Sequence, residues 1–392
     1  MDPRENPYTP NAGARPPLLV GRDDQLQTFD VLLARLKRGG TEQSMIITGL
    51  RGVGKTVLLS EFRAKAEQAG WVAIEAEITK QTEFGPRMAM LARRALLQVA
   101  PSVRWKERAR RAASILKSFT VTVGADGSWT GSLGVEAASG FADSGALADD
   151  LSDLVVALGE AAQEHDTGVV FLFDEVQFLA PAELEALIAA LHRTVQRALP
   201  VTFVGAGLPQ IPRLAGEAKS YAERLFKFPQ IGSLPRADAL QALVGPARAQ
   251  SVAFAPGAAE RIVDYTEGYP YFIQEYGKSV WDAAETSPID EEVVQMAQAL
   301  VEAKLDGNFF RVRAERMTAT EASYLRAMAE LGPGPQKASD VAALVGRTSQ
   351  QAAPVRSRLI EKGLLYTPDY GLAAFTVPQF DRYLVRTHPL SA

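Results

Sequence analysis

The sequence predicts an α/β domain with a parallel sheet and helices on both faces, followed by a helical unit and a smaller three-helix unit. Three observations carry this. Residues 45–48 are a short apolar run, then come a glycine-rich turn, a helix-periodic stretch from Thr56 and a second strand-like run at 71–78. That strand–loop–helix–strand order is the unit of a parallel sheet. Residues 168–173 and 201–204 are continuous apolar runs, as strands buried on both faces require. Beyond Arg316 lie three helix-sized segments, 318–331, 338–345 and 349–362, and then short strand-like runs around 364–366 and 372–377. That order predicts a winged helix.

Each element has a local reason. Residues 1–17 hold five prolines and few apolar groups, which predicts a flexible or extended arm. Residues 22–38 place Leu26, Phe29, Leu32, Leu33 and Leu36 at helical spacing, and Gly39-Gly40 stops the helix. The helix from Thr56 runs through Leu58, Leu59 and Phe62 to about Ala69, where Gly70 ends it. Residues 87–117 read as helical and basic, with nine Lys and Arg against one acid, Glu107. Residues 119–135 alternate, predicting a hairpin with Phe119, Val121 and Val123 on one arm and a turn at 125–128. From 118 to 166 there are nine acids and no Lys or Arg, the sharpest charge asymmetry in the chain. Helices are expected at 181–198 and 216–224 and a last short strand at 226–231. The expected divisions are an arm at 1–17, the α/β domain at 18–235 with an insertion near 87–140, a helical unit at 236–314 and the winged helix at 315–392.

Composition narrows the function classes. The 392 residues are 47% apolar and 22% charged, with a formal net charge of −4. This is ordinary globular composition, and any nucleic-acid contact must come from local patches. The chain has no cysteine and three histidines, which excludes disulfides and thiolate chemistry and disfavours a histidine metal site. No run reaches the ~18 apolar residues of a membrane span, and the N-terminus has no signal-like apolar segment. The expectation is a cytoplasmic protein without membrane contact.

Gly49-Leu50-Arg51-Gly52-Val53-Gly54-Lys55-Thr56 fits G-x-x-x-x-G-K-[ST] between a predicted strand and a predicted helix. Such a loop turns backbone N–H groups toward phosphates, and the helix N-terminus adds a favourable dipole. Lys55 is the point charge for the β- and γ-phosphates, and the Thr56 hydroxyl is a Mg2+ ligand. Gly49, Arg51, Gly52, Val53, Gly54, Lys55, Thr56 and Val57 are the expected ATP-binding residues. The strand 169–173 ends in Asp174-Glu175, where a parallel strand releases its side chains at the sheet edge. Asp174 is expected to hold Mg2+, and Glu175 to polarise the attacking water. Both acids together point to hydrolysis as well as binding.

Leu19-Val20-Gly21-Arg22-Asp23-Asp24-Gln25-Leu26 precedes the first helix, and here the sequence resembles the AAA+ and STAND ATPases. It looks closest to archaeal-type ATPases with an origin-recognition-like AAA module. The resemblance implies that Val20 and Gly21 border the adenine. Read from its residues alone, the segment is a cap before an amphipathic helix. Val201 to Gln210 resembles the sensor-1 strand and its exit, with Gly205-Ala206-Gly207 offering only backbone and Gln210 as a substitute polar group. Arg224, in Tyr221-Ala222-Glu223-Arg224, lies where relatives carry an arginine finger, which offsets transition-state charge in a neighbouring subunit. It also reads as a surface arginine paired with Glu223 or Glu217. Gly268-Tyr269-Pro270 resembles the Gly-x-Pro signature of such lids, which implies that Tyr269 and Pro270 close over the base.

In the predicted winged helix, 349–362 would be the recognition helix. Arg347, Arg356, Arg358 and Lys362 are its candidate contacts to double-stranded DNA. Across 315–392 there are nine Lys and Arg against seven acids, so a protein-docking unit is the competing reading. The function expected is a Mg2+-dependent ATPase switch that binds ATP and ADP and forms nucleotide-dependent homo-oligomers. It acts on DNA or, alternatively, serves as a signalling or defence scaffold for a protein partner.

Overall fold

The structure, a computed structural model, describes residues 1–81, 83–125 and 133–389. Its centre is a parallel five-stranded sheet of β1 (Ser44–Thr48), β2 (Val72–Glu77), β3 (Val169–Asp174), β4 (Val201–Gly207) and β5 (Phe226–Lys227), in the order β2-β3-β4-β1-β5. Alternation on the buried strands supplies both layers. Val170 and Leu172 join one core, and Val169, Phe171 and Phe173 join the other. Helices α1 (Asp23–Lys37) and α2 (Lys55–Gln68) pack on the first face, where Phe29 stacks on Phe62 at 4.4 Å. On the opposite face lie α3 (Phe84–Val99), α4 (Glu107–Thr122), α5 (Leu147–Glu164) and α6 (Pro181–Gln196).

The insertion departs from its expectation. Residues 119–122 are the last turn of α4, not the arm of a hairpin. The β-branched run looked strand-like, but Ala112, Ile115, Leu116 and Phe119 bury one helical stripe. Thr120 Oγ1 donates to Leu116 O at 2.7 Å and Thr122 Oγ1 to Ser118 O at 3.0 Å, so the hydroxyls are satisfied within the helix. Residues 126–132 of the expected turn and second arm lie outside the described residues. The acidic block is largely α5, a helix the sequence reading did not assign. It packs beside α4 and takes up part of its charge: Arg108 donates to Gln163 Oε1 at 2.9 Å, and Arg111 approaches Glu160 at 4.0 Å. The expected helix at 216–224 is two pieces, α7 (Ile211–Ala218) and α8 (Ala222–Leu225).

Helices α9 (Arg236–Ala249), α10 (Ala258–Thr266), α11 (Pro270–Ala283) and α12 (Glu291–Lys304) follow. A π-helical turn, Leu305–Phe310, continues α12 into α13 (Arg311–Ala314). The C-terminal unit holds α14 (Ala319–Glu330), α15 (Ala338–Leu344) and α16 (Ser349–Glu361). A small antiparallel sheet of β6 (Gln336–Lys337), β8 (Leu372–Phe375) and β7 (Leu365–Tyr366) and a last helix, α17 (Phe380–Thr387), complete it. Aromatic rings join it to the helices before it: Phe310 stacks on Phe380 at 5.9 Å and Tyr383 at 5.4 Å, and Phe309 stacks on Tyr271 at 4.8 Å.

The N-terminal arm is extended but not free. It runs along α11, where the buried Tyr8 donates its hydroxyl to Leu243 O at 2.6 Å and Trp281 Nε1 donates to Asp2 O at 3.0 Å. Its few apolar groups are enough to dock it because one of them is an aromatic ring. Among the described residues, no helix is long and apolar enough to cross a membrane.

Candidate nucleotide site

The loop after β1 and the C-terminal end of β3 meet at the crevice outside the strand ends, where open parallel sheets place ligands. Gly52 and Gly54 take φ of +84° and +93°, a left-handed conformation that glycine adopts without a Cβ penalty. They wrap the loop over the start of α2. A cleft of about 460 Å3 opens there, lined by Arg51, Lys55, Thr56, Val57, Glu175 and Val20 among others. That volume suits a small ligand.

Lys55 is buried, and its Nζ donates to Gly49 O at 3.0 Å and Leu50 O at 2.8 Å. Burial pushes its ammonium below the ordinary lysine value, while Glu175 and Asp174 pull it back up and Arg51 pushes it further down. Thr56 Oγ1 donates to Asp174 Oδ2 at 2.5 Å. Burial raises Asp174 above its ordinary value, partly offset by the hydrogen bonds from Thr56 and from Glu175 N. A hydroxyl beside a half-buried carboxylate is a hard-oxygen pair that fits Mg2+. Among the described residues no three acids or histidines form a metal cage, so the ion would take its remaining ligands from phosphate and water.

Glu175 has φ +56° and ψ +39°, which turns its side chain into the cleft. Gln177 donates Nε2 to Glu175 Oε2, and its Oε1 accepts from Leu208 N at 3.2 Å. This amide lies against the glycine at the tip of β4. A Cβ on Gly207 would lie 2.8 Å from Gln177 Oε1, so glycine there leaves room for the Gln177 bridge. The Oε1 of Gln210, the substitute polar group expected from the sequence, is buried without a partner.

The entry segment does more than cap α1. Arg22 is buried, and its guanidinium donates to Gly21 O at 2.9 Å, Val53 O at 3.1 Å and Gly232 O at 3.0 Å. It thereby clamps residues 20–22 to the phosphate-binding loop and to the segment leading into α9. Pro270 and Tyr271 line the cleft, whereas Tyr269 packs beneath the loop at Gly52, its hydroxyl buried without a partner. Arg313, which the sequence reading missed, lines the same cleft, 4.0 Å over the Phe309 ring. Burial and then the nearby Arg51 hold its guanidinium below its ordinary value. Its position could not be read from spacing, because only the π turn aims α13 at the loop.

The remaining candidates lie elsewhere. Arg224 is exposed on α8, and among the described residues no ion pair engages it. Arg213 pairs with Glu217 at 2.6 Å. Two of the four candidate DNA contacts at α16 are engaged by one acid. Lys362 donates to the buried Glu321 at 2.6 Å, and Arg358 lies 3.6 Å from the same carboxylate. Arg356 is half-buried with Nε unpartnered, and Arg347 is exposed. The C-terminal end of α16 instead faces the sheet domain. Arg51 N donates to Thr376 O at 3.2 Å, and Lys80 donates to Glu361 O.

The chain matches two family models: AAA ATPase domain over residues 18–204 and a domain of unknown function (DUF8462) over residues 307–384. No curated protein matches it. Among solved structures it is similar to the Walker-type ATPase of Pyrococcus abyssi, at 13% identity and TM-score 0.54, over 94% of this chain and 97% of that one. It also aligns with the Thermotoga maritima RuvB Holliday junction branch migration motor, at 16% identity and TM-score 0.44, over 93% and 94% of the two chains. With the Aeropyrum pernix Orc1 protein in complex with DNA the values are 15% identity and TM-score 0.45, over 95% and 94%. At these identities the Pyrococcus likeness is one of fold, and the parallel sheet flanked by helices agrees with it. Residues 18–204 thus match the AAA ATPase domain model and share the fold of a Walker-type ATPase, and the helical and C-terminal units follow that module.

Proposed function

We propose that the protein is an ATP-hydrolysing molecular switch of the cytoplasm, in which the nucleotide-binding loop holds or releases the C-terminal unit. The observation that carries this is the hydrogen bond from Arg51 N, within the phosphate-binding loop, to Thr376 O. A loop that rearranges around phosphates cannot do so without disturbing that contact. In this reading 236–314 is a lid and 315–392 a winged helix.

Lys55 leaves the carbonyls of Gly49 and Leu50 and turns its charge to the β- and γ-phosphates. Thr56 and Asp174 hold Mg2+, which neutralises charge on the phosphate oxygens when bound. Glu175 orients and deprotonates the attacking water, with Gln177 fixing the carboxylate. Arg224, exposed and without an acidic partner, reaches the site of a neighbouring copy in a homo-oligomer. Duplex DNA is the output we assign to the C-terminal unit, through Arg347 and Arg356. Protein docking is the second reading, favoured by Glu321, which neutralises Arg358 and Lys362.

Replacing Lys55 with Ala tests the core of the reading. ATP and ADP affinity should fall sharply and turnover should vanish. Hydrogen exchange at 363–376 should respond to nucleotide in the wild type and not in the variant. Unchanged affinity and turnover would refute the assignment of the loop.

A further inference from the structure

The N-terminal arm does not end its course on α11. Thr9 N donates to Gln274 Oε1 at 3.1 Å, and the chain then leaves the helix and crosses the mouth of the cleft. Residues 9–14 line the same cavity as Gly52, Lys55 and Thr56. At the crossing, Gly13 has φ +72°, and a Cβ there would lie 3.6 Å from Thr56 Cγ2. On the far side Arg15 pairs with Glu61 of α2 at 2.7 Å. The arm is thus fastened at both ends, to α11 on one side and to α2 on the other, and it spans the opening between them.

The two fastenings differ in strength. Upstream, Tyr8 is sunk against Gly277, where a Cβ on the helix would come within 2.6 Å of the ring. The Asn6 side chain donates to Lys278 O at 3.0 Å and Asp282 Oδ1 at 2.8 Å. Downstream, the fastening is a single ion pair from a mostly exposed Arg15, which can turn to water, to a half-buried Glu61, and it is weaker than the buried upstream anchor. The prolines favour this course, since each fixes φ near an extended value and lowers the entropy lost when the arm docks.

We propose that residues 1–15 are a strap across the nucleotide site and that its opening at the Arg15–Glu61 end limits the exchange of adenine nucleotide. This deepens the nucleotide reading above and rests on it. A nucleotide seated on the loop has the arm as one wall of its cavity, so it leaves at the rate at which the arm lifts. The weak downstream fastening makes Arg15 the opening end and Tyr8 the anchor.

The test is release of fluorescent N-methylanthraniloyl-ADP from the full-length protein with Mg2+, chased with unlabelled ADP in a stopped-flow instrument. Tyr8→Ala removes a buried aromatic, which should shift the docking equilibrium by roughly ten- to a hundredfold, and release should accelerate accordingly. Arg15→Glu removes the pair and sets a like charge against Glu61, so it should accelerate release by about two- to fivefold. Arg15→Glu with Glu61→Arg should bring it back toward wild type. That rescue decides the matter even if Tyr8→Ala folds poorly, because Arg15 is exposed and the swap keeps an opposite charge facing it from the half-buried Glu61. Release within twofold of wild type in Arg15→Glu, or accelerated release that the charge swap does not reverse, overturns the strap. Failure of the wild type to bind the probe at all would instead overturn the nucleotide reading beneath it.

Discussion

Replacing Glu321 with Gln isolates one charge at the base of α16. The carboxylate is buried and accepts from Lys362 Nζ at 2.6 Å and Thr318 N at 2.8 Å, with Arg358 Nε 3.6 Å from its other oxygen. Gln keeps the volume and can still reach back to Thr318 N, because both residue types serve a capping box. What is at stake is the charge-assisted hydrogen bond from Lys362, about 1.5–3 kcal/mol as a whole. The larger cost of a stranded buried charge does not apply, since Lys362 is one-third exposed and can turn to water. Gln also escapes the desolvation of a carboxylate, so about 1.5–2 kcal/mol is the expected loss, the lower half of that range. In hydrogen exchange, the amides of α14 and α16 that open together should lose protection by roughly ten- to thirtyfold, at about 1.4 kcal/mol per decade. Less than a threefold change would refute the ion-pair account of this unit. The effect depends on pH. Burial alone would raise Glu321, but the hydrogen bonds from Lys362 and Thr318 outweigh it and hold the carboxyl below its ordinary 4.5. Its contribution is therefore complete above that value and is lost as pH falls through the lower folded value. Gln does not titrate, so the gap between wild type and Glu321→Gln should narrow as the medium is acidified below pH 4.5.

Glu175→Gln should retain bound ATP and slow hydrolysis by on the order of 10²–10⁴, the usual cost of losing a general base; turnover within a few-fold of wild type would remove Glu175 from that role. Gln177→Leu should lower turnover while leaving ADP affinity within about twofold, because the lost hydrogen bonds, each typically ~1 kcal/mol, lie at the Glu175 carboxylate and Leu208 rather than at the phosphate loop. Equal losses in affinity and turnover would count against it. Arg224→Ala mixed with Glu175→Gln should recover part of the activity that each lacks alone, and absence of recovery in stable mixed oligomers would argue against action in trans.

The phosphate loop and the acidic end of β3 were legible because their chemistry is local: glycine spacing and a strand's last residues specify the geometry. The units that follow were legible as helices from apolar period alone. The insertion was misread because Phe119 to Val123 alternates like a strand, while the helical stripe that places Phe119 begins earlier, at Ala112. Helix α5 also carries a signal, since Leu147, Leu151, Leu154 and Leu158 hold helical spacing, but it lies within the acidic block whose charge is the more prominent pattern. Arg22, Gln177 and Arg313 act through partners distant in sequence, so residue type and position did not reveal them. For the α16 cations a signal did exist. Thr318-x-x-Glu321 is a capping box, and its glutamate faces Arg358 and Lys362, two of the candidate DNA contacts.

The π turn at 305–310 sets its two phenylalanines on the two units it joins, Phe309 onto Tyr271 and Phe310 onto Phe380 and Tyr383. Ion pairs from Arg382 to Glu267 and from Arg386 to Asp306 join the same two units across this turn. A hinge placed here would have to break stacked rings and ion pairs together. The helical unit and the C-terminal unit therefore form one lever, and its axis lies upstream, in the link just before α9 at residues 233–235, beyond the bonds that tie Pro229 and Ile231 to Thr48 and Gly232 to Arg22. A rotation about that link would lift Thr376 from Arg51 and carry Pro270, Tyr271 and Arg313 away from the cleft in the same stroke. Opening the output surface and uncovering the nucleotide would then be a single mechanical event.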